Sequence, residues 1–509
     1  MDKNEKDSSI SRRRFIASAA VATGGLLLGA TTGSAEAPKA KSVDIESLKK
    51  ACKGRVTFAG ESGFGEAIHG DLWNKLIPDR APDVVVRVAD EEDVVAAVKF
   101  ARANKLKVTV RGGGHNWAAP SLRTGGMLID LSLLNKVISI DENAMKAVVQ
   151  PIISNRDSQK LLNPKGLTFP CGHCPTVKLS GFLLGGGLPW NPGVWGYACE
   201  SLEAVELVTA EGKRITATKD ENVDYYWAAK GTGFGFFGVA LRYHLKLHPL
   251  PKAIHGSAYW YSLDDAEAVA TWLGDNAKSF TKNIELSMFL LTAPPEMKAA
   301  AAKNGGKVCL VTATCFADTP TEAKTNLAAF KNSPVNDKCL SKTVDQPTNF
   351  EGLFDAAGPM WPPNIRCRPK STFSNAKPQD LIGAMKEHFT KTPSEITVML
   401  VGIFTGGSLP APLPDAAVSI GGAVYAGLWT QWKDASDDAV NTEWYDQYAT
   451  LIKPYVANYY IGESDQVRNP SETTGAFSSA NFKKIADLRD KHDPDRVFFG
   501  YFDGLADKA

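Results

Sequence analysis

Two short runs of the sequence carry the side chains with the richest chemistry. Residues 111–116 read Arg-Gly-Gly-Gly-His-Asn, and residues 171–175 read Cys-Gly-His-Cys-Pro. Consecutive glycines let backbone N–H groups converge on an anion, because no Cβ blocks the approach. A nucleotide pyrophosphate is the obvious guest of the first run, although its spacing matches neither common phosphate-binding fingerprint. A plain tight turn is the alternative interpretation.

The second run places two thiols, Cys171 and Cys174, on either side of His173. Such a pair can form a dithiol redox site, a zinc site or a structural disulfide. The redox motif should open a helix directly after a strand, whereas Pro175 follows Cys174 at once. No second Cys/His pair stands at ligand spacing, so no metal site is predicted. The disulfide stays open as an alternative.

Regular elements precede the glycine run and would position it. A β-branched strand at 82–88 is followed by a helix that Asp90 can cap, and a second strand spans 106–110. Further strands are expected at 127–131 and 202–208. After Pro249 and Pro251, the pattern alternates helices such as 264–273 with strands such as 308–314 and 423–432. This second part predicts a separate α+β domain, a sheet with covering helices.

The composition excludes several classes of protein. The chain has 509 residues, of which 44% are apolar and 22% charged, and this excludes disordered, collagen-like and coiled-coil chains. Lys and Arg total 57 against 56 for Asp and Glu, whereas a nucleic-acid-binding protein would show a basic excess. Eight cysteines are too few for a disulfide scaffold. The length predicts two or three folding units.

The first 37 residues have the features of a twin-arginine export signal. Arg12 and Arg13 precede a weakly apolar stretch, and an A-x-A cleavage site ends at Ala37. The apolar stretch is too short to span about 30 Å of hydrocarbon comfortably, and an uncleaved membrane anchor is the alternative. We therefore expect the twin-arginine machinery to export the folded chain to the periplasm or the extracellular space.

Four motifs occur in an order that resembles the berberine bridge enzyme-like flavoproteins of the vanillyl-alcohol oxidase superfamily. They cover residues 111–115, 172–177, 185–187 and 224–227, and residues 493–498 are similar to that family's C-terminal element. The resemblance spans about residues 45–252 and 455–500. Residues 188–195 depart from the family pattern beside the expected substrate pocket. We therefore do not transfer the substrates of the family's plant enzymes to this chain.

The resemblance implies an α+β fold with a two-part PCMH-type FAD-binding domain and an α+β substrate domain, a sheet covered by helices. After the signal over 1–37, the expected boundaries are 38–252 for the FAD-binding domain and 253–454 for the substrate-binding domain. Residues 455–509 are expected to form a C-terminal segment that returns to the FAD domain.

The resemblance also implies an FAD held by two covalent bonds, from His115 to the flavin 8α-methyl and from Cys174 to C6. Imidazole nitrogen and thiolate suit this chemistry because both are nucleophiles. Without the resemblance, His115 could merely cap its loop and Cys174 could be a small buried hydrophobe. Val177 matches the position thought to gate oxygen, where valine is typical of the oxidases. The other residues expected to bind the cofactor are Arg111, Gly112, Gly113, Gly114, Asn116, Ser121, Thr176, Gly181, Gly185, Gly186, Gly238, Val239, Asn458 and Tyr459.

The function implied is that of an FAD-dependent oxidase acting on a small molecule. A hydride would leave a C–H next to an alcohol, hemiacetal or amine, a base would take the adjacent proton, and O2 would become hydrogen peroxide. Strand alternation makes Tyr425 the candidate base, unless it is a core aromatic, and His173 is the other catalytic candidate. Trp190, Trp429 and Gln431 are expected to contact substrate. A dehydrogenase with another electron acceptor and a non-enzymatic flavin-binding protein are the alternatives.

The twin arginines give a first testable prediction. Replacing both residues conservatively, Arg12→Lys and Arg13→Lys, should block export, because the pathway reads that pair. The measurement is the amount of protein in the periplasmic and culture fractions relative to the wild type. Unchanged export would contradict the signal assignment.

Overall fold

The computed structural model describes residues 45–407, 413–419 and 421–505. The expected export signal over residues 1–37 lies outside these ranges. No helix within them is both long and apolar enough to cross a membrane. All eight cysteines lie inside the described ranges, and each of them is a free thiol. The disulfide alternative for Cys171 and Cys174 is therefore absent from the structure.

The described helices and strands alternate along the chain. The helices are α1 (Ile45–Ala51), α2 (Phe64–His69), α3 (Glu91–Ala103), α4 (Asn155–Leu162), α5 (Leu179–Leu184), α6 (Pro192–Trp195), α7 (Val223–Ala229), α8 (Ala266–Asn276), α9 (Lys298–Ala301), α10 (Pro320–Lys331), α11 (Phe350–Ala357), α12 (Pro378–Thr390), α13 (Asp438–Ile452), α14 (Ser471–Thr474) and α15 (Ser479–His492). The strands are β1 (Arg55–Phe58), β2 (Val84–Arg87), β3 (Val108–Arg111), β4 (Met127–Asp130), β5 (Val137–Asp141), β6 (Lys146–Val149), β7 (Leu167–Thr168), β8 (Leu202–Val208), β9 (Arg214–Thr218), β10 (Val239–Lys246), β11 (His248–Pro249), β12 (Ala253–Ser262), β13 (Ile284–Thr292), β14 (Lys307–Ala317), β15 (Cys339–Thr348), β16 (Arg366–Ser374), β17 (Val398–Ile403), β18 (Val424–Trp432) and β19 (Asn458–Tyr459).

The β-α-β unit expected before the glycine run is present. Strands β2, β4 and β3 pair in parallel, and β1 adds an antiparallel edge. The side chain of Asp90 caps α3 by accepting from the backbone of Glu92 and Asp93. Val94 and Val98 lie on the face of α3 that is fully buried. Such an amphipathic helix fixes the end of β3, from which the glycine run emerges.

A second sheet completes the first half of the fold. It has the antiparallel order β5-β6-β10-β8-β9, and its buried face shares one core with α3 and the parallel sheet. The last part of the chain joins this core through Ile485 and Leu488 of α15. Phe498 then forms an isolated parallel bridge to Val108 of β3. The two ends of the described chain therefore build one unit.

The second half of the chain forms an eight-stranded sheet. Its first strand in the sequence is β12, and the strands lie side by side in the order β15-β12-β14-β13-β17-β18-β16-β19. Side chains alternate along its strands. Leu286, Met288 and Leu428 pack in the core that this sheet shares with α8, α10, α12 and α13. The opposite face, with Tyr425 and Trp429, looks toward the first half of the chain. The mixed α+β class expected from the sequence is confirmed.

The turn after α15 gives a prediction about stability. Asp493 is fully buried, and its carboxylate accepts hydrogen bonds from the backbone of Val497 at 2.7 Å and Phe498 at 3.0 Å. Asp493→Ala would leave two buried N–H groups unsatisfied, so we expect about 2–5 kcal/mol less unfolding free energy. The control is Asp495→Ala, because Asp495 makes an exposed ion pair with Arg102, and such pairs contribute about 0–1 kcal/mol. Urea unfolding followed by fluorescence measures both, and equal losses would contradict this role of Asp493.

Candidate active site

A cavity of about 430 Å³ lies between the two halves of the fold. Its first wall consists of the ends of β3 and β10 and the loops around the two runs singled out in the sequence. Its second wall is the open face of the eight-stranded sheet, and residues 460–463 close one side. Of the residues predicted from the sequence, the wall contains Arg111, Gly112, Gly113, Gly114, His115, Asn116, Ser121, His173, Cys174, Val177, Gly181, Gly185, Trp190, Gly238, Tyr425 and Trp429.

The glycines of the first run are required by tight packing of their own loop. A Cβ on Gly112 would come within 2.0 Å of Ser180 Oγ, and one on Gly113 within 2.3 Å of Lys178 Cγ. Gly114 adopts φ +64°, a left-handed conformation that favours glycine. Packing within the protein therefore requires glycine at these positions. Within the described residues, no backbone N–H of residues 112–117 donates a hydrogen bond.

Two polar side chains of this run are engaged within the protein. The Arg111 guanidinium donates to the carbonyls of Ala67 and Ile68 and to Asp130, with all three distances between 2.7 and 2.8 Å. The Asn116 amide donates to the carbonyl of Gly462 at 2.9 Å. Both side chains therefore have partners within the protein. Together they fix the loop, and its unpartnered N–H groups remain as the anion donors.

His115 and Cys174 meet across the cavity wall although 59 residues separate them. His115 Nε2 lies 3.6 Å from Cys174 Sγ and 2.9 Å from the Thr176 hydroxyl. Trp73 stacks on the imidazole at 4.3 Å between ring centroids. Burial, with the nearby Lys178, lowers the pKa of His115 to about 4, so the imidazole is neutral at pH 7. Burial raises the pKa of Cys174, while Thr176 partly opposes that shift.

Tyr425 forms the centre of a hydrogen-bonded group on the opposite wall. Its hydroxyl donates to Glu463 Oε2 at 2.6 Å and lies 2.9 Å from the Ser371 hydroxyl. Burial and the neighbouring Glu463 raise the pKa of Tyr425 well above its ordinary value, so the phenol stays protonated. Burial also raises the pKa of Glu463, although the hydrogen bond from Tyr425 opposes this. Tyr425 therefore needs Glu463 as the acceptor of its proton.

Sequence reasoning missed Glu463, because it predicted that Asn458 and Tyr459 are the pocket residues of this segment. Neither residue lies in the cavity wall, and the Asn458 amide bonds to the backbone of Gly421. The chain reaches the cavity one residue later, at Tyr460. The sequence does contain a signal for Glu463: it is an acidic residue that comes after the aromatic residues of a short strand and directly after a glycine.

His173 forms an ion pair that separates it from the Tyr425 group. Its Nε2 lies 2.5 Å from Glu285 Oε1, and Glu285 Oε2 accepts from the backbone of Asn191 at 2.8 Å. Burial opposes the charge on His173, but Glu285 outweighs burial and raises the pKa of the imidazole. Because Glu285 already occupies Nε2 of His173, the position of this imidazole favours binding over proton abstraction.

Several other predicted residues lie behind the wall. Gln431 is fully buried and donates to the carbonyls of Met360 and Ile396, so it supports the site without facing it. Thr176 contacts both His115 and Cys174 from outside the cavity lining. Gly186 packs against Val418, and Val239 is fully buried in β10. The structure therefore does not bring these residues into cavity contact.

Known proteins are similar to this chain both in its first half and over most of its length. Residues 82–218 match the FAD binding domain family. The FAD-linked oxidoreductase nodO of Hypoxylon pulicicidum is 28% identical over 83% of this chain and 91% of its own length. This chain is an FAD-linked oxidoreductase. The glycine run with its unpartnered N–H groups fits the pyrophosphate of FAD, and the adjoining cavity fits the flavin end.

Solved structures share this fold over most of the chain. Berberine bridge enzyme from Eschscholzia californica is 18% identical and superposes with a TM-score of 0.74 over 91% of this chain and 99% of its own. Phl p 4 in its wild-type form, a glucose dehydrogenase, is 17% identical with a TM-score of 0.74 over 90% and 98% of the two chains. A Phl p 4 variant with valine in place of one isoleucine is a glucose oxidase, at 18% identity and the same TM-score and coverage. The resemblance read from the sequence is confirmed.

Proposed function

We propose that this oxidoreductase is an oxidase that removes a hydride from a C–H bond next to a hydroxyl, hemiacetal or amine and passes the electrons to O2. The observation that carries the proposal is the hydrogen bond from Tyr425 to Glu463 in the cavity, opposite His115 and Cys174. When bound, FAD supplies a two-electron acceptor that reduces O2 to hydrogen peroxide. A dehydrogenase with another electron acceptor is the second candidate.

The chain's own residues provide the path for the proton. The substrate O–H or N–H donates to Tyr425 Oη while Tyr425 passes its own proton to Glu463, 2.6 Å away. The Glu463 carboxylate thus becomes a neutral carboxylic acid, and the proton reaches it without leaving a buried phenolate at Tyr425. Ser371 holds the Tyr425 oxygen in place at 2.9 Å. This relay keeps Tyr425 as the group nearest the substrate and makes Glu463 the final base.

Oxygen as the acceptor is supported by Val177, which lines the cavity. In Phl p 4, valine in place of isoleucine accompanies the change from dehydrogenase to oxidase. By the family resemblance, Val177 stands at the position that gates oxygen. A small side chain there leaves room for a diatomic molecule beside the flavin.

Two covalent bonds to FAD, from His115 and Cys174, are part of the same proposal. A neutral imidazole keeps one unprotonated nitrogen, and the distance of 3.6 Å from His115 Nε2 to Cys174 Sγ places both nucleophiles on one patch of the wall. Such attachment suits an enzyme that the twin-arginine pathway exports, because a tethered cofactor is not lost outside the cytoplasm.

The relay predicts a rate loss and a pH dependence. Tyr425→Phe and Glu463→Gln should each slow flavin reduction by about 10²–10⁴-fold, the usual contribution of general base catalysis. Below the pKa of Glu463 its carboxyl is protonated and accepts no proton, so the wild-type rate should fall as the pH decreases. Because that pKa is raised, the acid limb should lie above that of an ordinary glutamate. Stopped-flow reduction measures both effects.

The matched control for the relay is Tyr448→Phe, since Tyr448 is buried in the helix layer on the other face of the sheet. It should leave the reduction rate unchanged. An acid limb that persists in Glu463→Gln would contradict the role of this carboxyl, and His173 would become the candidate.

Covalent attachment predicts where the flavin goes when the protein is denatured. After acid precipitation the wild-type pellet should stay yellow, and the intact mass should exceed the polypeptide by one FAD. His115→Ala and Cys174→Ala should each retain flavin through the other bond, and only the double variant should release it. Cys171→Ala is the control, because Cys171 is fully buried outside the cavity. Flavin in the wild-type supernatant would contradict both bonds.

A further inference from the structure

The cavity face of the eight-stranded sheet carries a group of hydroxyls on its β13 and β14 side. Register pairs Ser287 with Thr312 and Glu285 with Thr314, and all four side chains line the cavity. The hydroxyls of Ser287, Thr312 and Thr314 make no hydrogen bond to any described residue. We call these three the hydroxyl subsite.

Thr314 shows most clearly that the hydroxyl subsite lacks a partner. Thr314 is 7% exposed and lines the cavity. Polar groups so buried are normally hydrogen-bonded in native proteins. A bound molecule that enters the cavity is therefore the natural partner for this hydroxyl.

Between the hydroxyl subsite and Tyr425 the floor of the cavity is open and apolar. Gly402 pairs with Ser287 on one side and with Tyr425 on the other. A Cβ at Gly402 would meet nothing closer than 3.7 Å, so space lies above this position. In the next row Phe289 pairs with Leu400. An apolar body fits over this floor.

The charges around this floor select against anions. The substrate domain contributes no lysine or arginine to the described cavity wall. Glu285 pairs with His173 at 2.5 Å. Glu463, on the far side of Tyr425, is a further acid. At this floor a carboxylate or phosphate would thus meet two acids, whereas Lys178 lines the first wall near His115.

We propose that the substrate bears a second, neutral hydrogen-bonding group that binds the hydroxyl subsite while its oxidised carbon lies at Tyr425. This inference rests on the proposed oxidase function, since it takes Tyr425 as the reacting end. Two interstrand spacings, or about 10 Å, separate β18 from Ser287 on β13, and a third spacing reaches Thr312 and Thr314 on β14, about 14 Å from β18. The substrate class is an elongated alcohol with an apolar body and a distal hydroxyl.

A matched set of probes tests this inference. Benzyl alcohol has one hydroxyl, 1,4-benzenedimethanol adds the distal one, and 4-(hydroxymethyl)benzoate replaces it with an anion. The apparent Kd comes from the concentration dependence of flavin reduction, or from the shift in flavin absorption where no reduction occurs. We expect the diol to bind about three- to tenfold more tightly than benzyl alcohol, the gain of one hydrogen bond. The benzoate should bind more weakly than the diol.

Substitutions in the hydroxyl subsite test which residues cause the tighter binding of the diol. Thr312→Val/Thr314→Val keeps shape but removes two hydroxyls, and it should abolish the preference for the diol. Thr430→Val is the control, because Thr430 lies on β18 outside the cavity wall. If the double variant does not fold, Ser287→Ala gives the same comparison.

The outcomes separate this inference from the proposed function. Equal binding of diol and benzyl alcohol, tighter binding of the benzoate, or a diol preference that survives in the double variant would overturn the hydroxyl subsite. A diol preference without flavin bleaching would support the subsite but contradict the oxidase. Bleaching by D-glucose and none of the aromatic probes would keep the oxidase and overturn the subsite.

Discussion

The whole site depends on one steric constraint, the lack of room for side chains at Gly112, Gly113 and Gly114. Their loop packs so closely against Ser180, Lys178 and the backbone of Asp71 that a single methyl group would overlap each of them. Within the described residues, the N–H groups of this loop stay unpartnered. The same packing brings His115 against Trp73 and toward Cys174. Cofactor binding and nucleophile placement therefore have a common origin.

In the eight-stranded sheet, alternation along each strand lets one face form the core and the other face line the cavity. Leu428 packs under the helices, whereas Tyr425 and Trp429 of the same strand face the cavity. The helix layer makes the sheet rigid, and a rigid sheet holds catalytic groups more precisely than a loop. Glu463 reaches the site from an irregular segment, and its two hydrogen bonds, from Tyr425 and Ser371, tie it to the sheet.

Sequence reasoning predicted the local elements well because their signals are local. The cap at Asp90, the apolar face of α3 and the alternation of β18 all lie within single elements. The site was predicted in part, since resemblance marked His115 and Cys174. Glu463, Glu285 and the hydroxyls of β13 and β14 were missed, because only sheet register and the return of the chain bring them together. Alternation alone also placed Gln431 on the substrate face, whereas it bonds to the backbone behind it.

The hydrogen bond from Asn116 to the carbonyl of Gly462 has a consequence for the order of synthesis. It joins the cofactor loop to a segment made 346 residues later, next to Glu463. Phe498, later still, completes the strand edge at Val108. A chain still on the ribosome therefore lacks one side of its own cofactor cavity until residues 460–463 and Phe498 have emerged. The cofactor loop is thus made long before the segments that enclose it.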